Sequence, residues 1–353
     1  MLSDIPMITT VIPTYRRPHL LRRAIKSALA QTYPYLQVCV YDNASGDETA
    51  AVVAELARED PRVIYHCHPE NIGLTANFTY GMEQIDTPFF SALSDDDYFL
   101  PTFYETVMAG FDAYPDAICS GGGTVVVTER GSVVRSSSAE GYFIPPDGLL
   151  ARMSGKYPHL SGYVFRREVI EQVGVMDSKL FYADIDYEVR VFSRFPHVIS
   201  QKPGVIIVLH GQQATKWRQV DVVLQGYSTL HDRFQDNSAL PPAVRASSEK
   251  MLTRVLGNVM FLNMGLPALY DGDFAGAHRA AAALRTPFHK HGKALMLDLL
   301  ASLCQRISIV HRPITILLLT LWEFFLRFLG WKYRRVRGEI KAYLPASFAR
   351  ERV

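Results

Sequence analysis

Three consecutive aspartates, Asp95, Asp96 and Asp97, form the longest acidic run in the 353-residue sequence and follow an apolar run at residues 89–93. Adjacent carboxylates repel one another, so placing them at the end of a buried strand costs stability unless a cation lies nearby. Oxygen donors without a neighbouring cysteine favour Mg²⁺ or Mn²⁺, which bind carboxylates together with substrate phosphates. The alternative is a solvated acidic turn before a helix that begins near residues 101–102.

Polar residues also follow two earlier apolar runs. Thr14, Tyr15 and Arg16 come after the first run, and Asp42 ends the second. In an open α/β sheet, ligands bind beyond the carboxyl ends of the strands, so these side chains and the acidic triplet would line one crevice. A hydroxyl, an aromatic ring, a basic group and four carboxylates together suit a nucleoside diphosphate bridged to a metal ion.

The elements that must position these residues can be predicted from the hydrophobic pattern. Short apolar runs alternate with helical patterns over the first 130 residues, which predicts a parallel sheet with helices on both faces. The predicted strands are residues 9–12, 38–41, 63–66, 89–93, 124–128, 163–166 and 205–209. Beyond about residue 217 the composition favours helix, most strongly at residues 278–284. We therefore predict an α/β domain over residues 1–215 and a helical region over 216–312.

The last segment, residues 313–353, combines an apolar stretch with basic residues. Residues 314–326 are almost wholly apolar but contain Glu323, and they are followed by several Arg and Lys. Thirteen residues are fewer than the roughly 20 that cross a bilayer, so an amphipathic helix lying on a membrane surface fits better. A docking or dimer helix packed on protein is the alternative.

Charge and cysteine content limit the partners and the compartment. The formal net charge is +2, so no whole-molecule field would attract nucleic acid, and we expect none as a partner. The four cysteines are widely spaced and are interpreted as buried thiols in a reducing compartment. The first residues lack the basic region of a secretory signal. We expect a cytoplasmic protein, peripheral on the inner face of the membrane if the tail binds lipid.

Four motifs in a fixed order resemble the family-2 glycosyltransferases of the GT-A fold. They are Val-Ile-Pro-Thr-Tyr-Arg-Arg at 11–17, Tyr-Asp-Asn-Ala-Ser-Gly-Asp at 41–47, Glu-Asn-Ile-Gly at 70–73 with Asn77, and Ser-Asp-Asp-Asp at 94–97. The resemblance covers about residues 7–215. It implies an inverting, metal-dependent hexosyltransferase that moves a sugar from a nucleoside diphosphate to a hydroxyl of a glycan or lipid-linked acceptor, as in the synthesis of bacterial surface polysaccharides.

The resemblance also implies roles for individual residues. The base and ribose of the nucleotide sugar would be held by Thr14, Tyr15, Arg16 and Asp42, although Asp42 also suits a turn. Asp96 and Asp97 would contact the metal, and Asp95 would reach the ribose, or the metal through water. The nucleotide-sugar loop would contribute Asn71, Gly73 and Asn77. Ser94 and Ala76 stand where the family usually has an acid and an arginine.

A second acidic block, residues 181–190, resembles the family motif that carries the general base, with Ala183 where the family has a glutamate. It implies that Asp184 takes the proton from the acceptor hydroxyl; an acid that merely favours a helix N-terminus is the alternative. His210 lies where relatives often have a histidine that contacts the metal or diphosphate, and the resemblance implies the same role here. A purely structural histidine is the alternative. The turn at 161–163 would let the acceptor approach, or is only a tight turn.

The departures from the family pattern at Ser94, Ala76 and Ala183 keep a second function open. A catalytically silent nucleotide-sugar binding or scaffold protein with the same fold would tolerate all three. A dinucleotide-dependent dehydrogenase is disfavoured because the first strand lacks the glycine fingerprint. A phosphoacceptor domain would explain clustered acids but not the block around Asp184.

Overall fold

The computed structural model describes residues 7–180, 182–210, 220–238, 240–307, 310–330 and 333–344. The chain divides into two compact units, one from residues up to 209 together with those from 333 onward, the other from residues 210–332. The predicted boundary near residue 215 lies outside the described residues. The predicted tail is divided between the units: residues 313–330 belong to the second and residues 333–344 to the first.

The first unit is built on a ten-stranded sheet. Its strands are β1 (Ile8–Thr14), β2 (Leu36–Asp42), β3 (Val63–Cys67), β4 (Phe89–Ala92), β5 (Tyr98–Phe99), β6 (Cys119–Thr128), β7 (Val133–Ser136), β8 (Gly141–Phe143), β9 (Tyr163–Arg166) and β10 (His197–Leu209). All seven strands predicted from the sequence are present. The three that the prediction missed, β5, β7 and β8, have two to four residues each, too few for a periodic pattern to show.

Helices flank this sheet and form the second unit. The first unit contains α1 (Pro18–Leu29), α2 (Thr49–Glu59), α3 (Leu74–Glu83), α4 (Phe103–Ala113), α5 (Asp147–Met153), α6 (Glu168–Val173) and α7 (Ala183–Phe192). The second contains α8 (Val220–Gln235), α9 (Pro242–Val259), α10 (Leu266–Asp271), α11 (Phe274–Arg285), α12 (His291–Arg306) and α13 (His311–Gly330), and α14 (Arg334–Ile340) returns to the first. The predicted helix at 278–284 is the centre of α11.

The strand order β3-β2-β1-β4-β9-β6-β10-β5 confirms the mostly parallel α/β architecture. Strand β9 is the central exception, because it pairs antiparallel with both β4 and β6. An antiparallel strand begins at the edge where its parallel neighbours end. The start of β9 therefore lies at the same edge of the sheet as the residues that follow β1, β2 and β4.

The helices pack on the sheet through apolar stripes. Pro18 occupies the first turn of α1, where its missing N–H costs no hydrogen bond, and Leu21, Ala24, Ile25 and Ala28 are buried at helical spacing. They join the strand residues in one apolar core. This core fixes the positions of the strands and therefore of the polar residues at their ends.

Residues 333–344 pack against apolar side chains of β5, β6 and β10. Ile340 of α14 is fully buried in a small apolar cluster with Tyr98, Leu100 and Ile206, and Tyr333 is partly buried against it. None of the helices within the described ranges is long and apolar enough to cross a bilayer.

The cysteines are free thiols, and three of them are buried as predicted: Cys39, Cys119 and Cys304. The prediction is wrong for Cys67, which is exposed. Cys67 is the last residue of edge strand β3, where only one neighbouring strand covers the backbone.

Candidate active site

The ends of three adjacent strands bring the predicted nucleotide residues and the acidic triplet together. Thr14 ends β1 and Asp42 ends β2, while the triplet follows β4, and β1 lies between β2 and β4. The Oγ1 of Thr14 donates a hydrogen bond of 2.8 Å to Asp95 Oδ2. The predicted adjacency of these strand ends is therefore present, and their use as a ligand crevice stays a prediction.

Arg17 is the principal cation beside the triplet. Its Nη1 lies 3.0 Å from Asp95 Oδ1 and 3.0 Å from Asp96 Oδ2, so one nitrogen bridges two carboxylates. Arg23 of α1 adds a hydrogen bond from Nη2 to the Asp96 carbonyl. Two arginines, one directly before α1 and one within it, thus hold the acidic segment in place.

The triplet is buried and electrostatically strained. Asp95, Asp96 and Asp97 are each less than 10% exposed. Burial, followed by repulsion from Asp96, raises the pKa of Asp95 to about 6, while Arg17 and Thr14 oppose the rise. Burial and Asp96 likewise raise the pKa of Asp97 well above its ordinary value, against the hydrogen bond from the Val208 N–H, whose nitrogen lies 3.1 Å from Asp97 Oδ1. Positive charge at this position would relieve the strain.

The carboxylate oxygens of the triplet suit a divalent ion of the Mg²⁺ or Mn²⁺ type. Such an ion takes one or two carboxylates and completes its shell with substrate phosphate and water. Within the described ranges, no three His, Cys, Asp or Glu side chains form a closed metal cage. Asp95, Asp96 and Asp97 are the residues of the crevice that could contribute such carboxylates.

The loops after β1 and β2 are tied together through Ser45. Arg16 has a φ of 55°, a left-handed conformation uncommon for a residue with a side chain. Its backbone N–H donates to Ser45 Oγ at 2.8 Å and its Nε donates to the Ser45 carbonyl at 3.0 Å. The guanidinium also stacks over the exposed ring of Tyr15, with a distance of 5.1 Å from its carbon to the ring centroid. These contacts stabilise a strained backbone at the crevice edge.

Asp42 has a well-defined structural role in the same loop. Its Oδ1 accepts from the Ser45 N–H at 3.0 Å and from Ser45 Oγ at 2.5 Å. Its Oδ2 accepts from Tyr65 Oη at 2.6 Å, and the residue is 2% exposed. The turn-forming role considered for Asp42 is therefore present. Contact with a nucleotide base would use other lone pairs of the Asp42 carboxylate oxygens than those that accept these three hydrogen bonds.

The loop with Asn71 and Gly73 is linked to the residue after Asp42. Asn43 Nδ2 donates to Asn71 Oδ1 at 2.9 Å, and the Ile72 N–H donates back to Asn43 Oδ1 at 2.9 Å. Gly73 has a φ of 92°, which disfavours any residue with a Cβ. Asn71 and Gly73 are exposed and available to a ligand, whereas Asn77 is not.

Asn77 lies in the interior, 1% exposed. Its Nδ2 donates to the Tyr41 carbonyl at 2.8 Å, and its Oδ1 lies 2.9 Å from His68 Nε2. Both ends of the carboxamide therefore bind protein. The structure gives Asn77 an internal role beneath β2, and direct contact with a nucleotide sugar stays a prediction for it.

Asp184 lies in the first turn of α7, with its side chain exposed to solvent. Surrounding protein nevertheless raises its pKa above the ordinary value, opposed by local backbone hydrogen bonds and by Arg152. One turn further, Glu188 is 1% exposed and forms an ion pair with Arg152, and burial raises its pKa to about 7.

The segment before α7 is fixed against the helix that follows the Asn71 loop. Thr79 Oγ1 of α3 donates to the Met176 carbonyl at 3.1 Å, and Thr75 Oγ1 donates to the Leu180 carbonyl at 3.3 Å. In contrast, Asp186 pairs with Arg190 at 2.9 Å, and Arg190 also donates to the Val175 carbonyl at 2.9 Å. Asp186 therefore has a structural role within its own helix.

The turn at Leu160–Gly162 precedes β9 at the crevice edge. Ser161 is 6% exposed, and a Cβ on Gly162 would lie 2.7 Å from Thr124 Cγ2, so close packing requires glycine there. His210 follows β10 directly but is the first residue of the second unit, and its metal contact stays a prediction.

Sequence reasoning did not assign Ser45, Tyr65 or the Arg152–Glu188 pair to the site, and it named Arg17 only as an alternative to Arg16 in replacing the arginine that is missing at Ala76. Arg17 stands next to Arg16 in the first motif, and this position was the available signal. Tyr65 and Arg152 carry no local signal, because their partners are 23 and 36 residues away along the chain.

Residues 9–174 match the family model described as Glycosyl transferase family 2. A GalNAc(5)-diNAcBac-PP-undecaprenol beta-1,3-glucosyltransferase of Campylobacter jejuni is 28% identical over 173 residues, covering 47% of this chain and 53% of that protein. An uncharacterized glycosyltransferase of Rickettsia felis is 31% identical over 148 residues, covering 41% of this chain and 23% of that protein. The chain thus spans about half of the first relative and under a quarter of the second.

Solved structures share the fold. Staphylococcus aureus TarS residues 1–349, also solved with UDP-GlcNAc, superimposes with a TM-score of 0.56 at 15% identity, covering 86% of this chain and 92% of that one. The mannosyltransferase PcManGT of Pyrobaculum calidifontis, solved with GDP-Man and Mn²⁺, gives a TM-score of 0.53 at 17% identity, covering 86% and 88%. These likenesses establish the GT-A fold.

Proposed function

Because residues 9–174 of this chain form a domain of glycosyltransferase family 2, we propose that the protein transfers a sugar from a nucleoside diphosphate to an acceptor hydroxyl, with inversion at the anomeric carbon. The observation that carries the proposal is the buried cluster of Thr14, Arg17, Asp95 and Asp96 at adjacent strand ends. A diphosphate needs both a cation and a fixed basic group, and this cluster supplies sites for both.

The crevice residues bind and orient the donor. Asp96 and Asp97 would hold a Mg²⁺ or Mn²⁺ ion, which when bound neutralises charge on the leaving diphosphate. Asp95, already bonded to Thr14, would accept from a ribose hydroxyl. Tyr15 and Arg16 project from a loop that Ser45 fixes, and would contact the base and a phosphate.

Asp184 would act as the general base. A base efficient near neutral pH needs a pKa above that of an ordinary aspartate, and the surroundings of Asp184 shift it in that direction. Arg152 and Glu188 would act on Asp184 electrostatically, through their charges, without touching substrate. The acceptor hydroxyl would lose its proton to Asp184 as its oxygen attacks the anomeric carbon, and the nucleoside diphosphate would leave on the opposite face.

The substrates are proposed by class. The structural neighbours are solved with UDP-GlcNAc and with GDP-Man, which supports a hexose or N-acetylhexosamine donor. The name of the Campylobacter relative includes an undecaprenol diphosphate, which supports a lipid-linked acceptor, although a glycan hydroxyl meets the same chemical need. We propose a role in bacterial surface polysaccharide synthesis, at the cytoplasmic face of the membrane, with residues 313–330 of the predicted tail contributing membrane contact, since Ile340 packs against strands of the first unit.

A catalytically silent nucleotide-sugar binding protein is the second candidate. It is supported by Ser94, Ala76 and Ala183, which replace polar residues of the family motifs. The two candidates differ in turnover alone. Incubating the purified chain with Mn²⁺ and a panel of UDP- and GDP-sugars, and measuring nucleoside diphosphate release with and without a lipid-linked or glycan acceptor, separates them. Release that an acceptor accelerates supports the enzyme, and tight binding without release supports the silent protein.

A further inference from the structure

Helix α12 is apolar on two opposite faces. Its buried face consists of Ala294, Leu297, Ala301 and Cys304, at the spacing of one helical stripe. The opposite face carries leucines at positions 295, 299 and 303, which are 56%, 61% and 44% exposed. A helix that is hydrophobic all round is normally covered on all sides, and a soluble surface helix shows polar residues outward. The outward face of α12 is therefore exposed, although its leucines are typical of a buried helix face.

Helix α13 contacts α12 and extends the same kind of surface. Ile316, Leu317 and Leu321, which lie on one face of α13, are 52%, 58% and 55% exposed. The apolar surface is defined here by Leu295, Met296, Leu299, Leu303, Ile307, Ile316, Leu317 and Leu321. All eight are among the exposed large hydrophobic residues of the chain, concentrated in 27 positions of the second unit. Patches of this kind mark interaction sites rather than ordinary surface.

The charges around the apolar surface are almost all positive. Residues 289–321 contain four Lys or Arg and one acid, Asp298. Asp298 is already paired, since its Oδ1 lies 2.7 Å from His278 Nδ1 and its Oδ2 contacts Arg285. Arg306 and Arg312 are exposed at the ends of the two helices that meet here. The Arg312 guanidinium also lies over the ring of Tyr270, 5.7 Å from its carbon to the ring centroid. Leucine and isoleucine flanked by arginine are the composition of helices that lie in a bilayer interface.

We propose that the apolar surface of α12 and α13 docks on a bilayer of anionic phospholipid. The leucines would enter the boundary of the acyl chains, and Arg306 and Arg312 would meet phosphate headgroups. A twofold contact with a second copy fits less well, because Asp298, the one acid of residues 289–321, is already paired with His278 and Arg285. The inference deepens the proposed function by giving an enzyme with a lipid-linked acceptor a place on the membrane.

Sedimentation with lipid vesicles tests the proposal, with neither donor nor metal present. The full chain is mixed with phosphatidylcholine vesicles, with or without phosphatidylglycerol. We expect binding that requires phosphatidylglycerol, weakens with added salt, and falls about tenfold or more in Leu299→Glu and Leu317→Glu. Ile144→Glu is the matched control, since Ile144 is 54% exposed in the first unit. Arg306→Glu with Arg312→Glu should weaken binding while leaving the leucines in place.

Three results would overturn the proposal. The chain fails to sediment with phosphatidylglycerol vesicles, or the leucine variants sediment as the parent does, or ultracentrifugation without lipid shows a dimer that Leu299→Glu dissociates. Circular dichroism and thermal unfolding verify that each variant is folded. Titration of UDP and GDP in the presence of Mn²⁺ is done separately on the same preparations, so a failure of membrane docking and a failure of the proposed catalytic site give different results.

Discussion

Nη1 of Arg17 lies 3.0 Å from Asp96 Oδ2, within the group of carboxylates proposed to hold a divalent ion. The same nitrogen lies 3.0 Å from Asp95 Oδ1, so the guanidinium balances negative charge that a metal would also balance. Arg17 and the metal are therefore expected to share the triplet, because the positive charge of each reduces the repulsion among the three carboxylates.

Replacing Arg17 tests this relationship. Arg17→Ala leaves buried carboxylates without their cation and should lower the free energy of unfolding by about 3 kcal/mol in metal-free protein. Mn²⁺ should recover much of this loss, so the rise in melting temperature with Mn²⁺ should be larger in the variant than in the parent. Arg22→Ala is the matched control on the same helix, because its pair with Glu55 lies at the surface and should matter little. Equal Mn²⁺ effects in all three proteins would refute the shared role.

The raised pKa of Asp95 predicts a pH dependence of stability. Folding raises this pKa from its ordinary value near 4 to about 6, so folded protein holds the proton more tightly than unfolded protein. Its contribution is complete below about pH 4 and is lost as the pH rises through about 6, a total of about 3 kcal/mol. Asp95→Asn should flatten this part of the stability profile in metal-free buffer. Thermal unfolding from acid to neutral pH measures it, with the exposed Asp112→Asn as control; a parent profile that rises through this window would contradict the assignment.

The proposed base can be separated from its neighbour on α7. Asp184→Asn keeps the shape of the side chain but cannot accept the acceptor proton, so kcat should fall by about 10²- to 10⁴-fold while the affinity for UDP or GDP with Mn²⁺ is retained. Asp186→Asn is the control, because Asp186 pairs with Arg190 and should affect stability more than chemistry. Near-normal turnover in Asp184→Asn would assign the base elsewhere.

Ser45 is predicted to act through the residues that it holds. Ser45→Ala removes the hydroxyl that donates to Asp42 and accepts from the Arg16 N–H, which should cost about 1 to 2 kcal/mol of stability and raise KM for the donor more than it lowers kcat. Ser228→Ala, at an exposed serine of α8, should change neither. A melting temperature and a KM identical to those of the parent would show that Arg16 and Asp42 keep their positions without Ser45.

Much of the first unit could be predicted from the sequence because its signals are local. Each buried strand is a short apolar run, and the residue types at the ends of β1, β2 and β4 identify the crevice before any contact is known. The adjacency of Thr14 and Asp95 then follows from the strand order that the α/β pattern implies.

The remaining features depend on long-range contacts that no local pattern carries. The division of the tail depends on Ile340 packing against Tyr98, more than 200 residues earlier in the chain. Asn77 matches the family motif in position, yet its carboxamide is bound by Tyr41 and His68, which only the three-dimensional packing reveals. The exposed face of α12 was missed because its leucines resemble a core stripe until burial is known.

Calorimetric titration of UDP and of GDP, with and without Mn²⁺, into the parent chain and into Asp96→Ala tests the central claim most directly. The account predicts that one nucleotide binds the parent tightly only with Mn²⁺, and that Asp96→Ala loses this binding while its thermal unfolding remains cooperative. Binding of either nucleotide that is equally tight without Mn²⁺, or unchanged in folded Asp96→Ala, would contradict it.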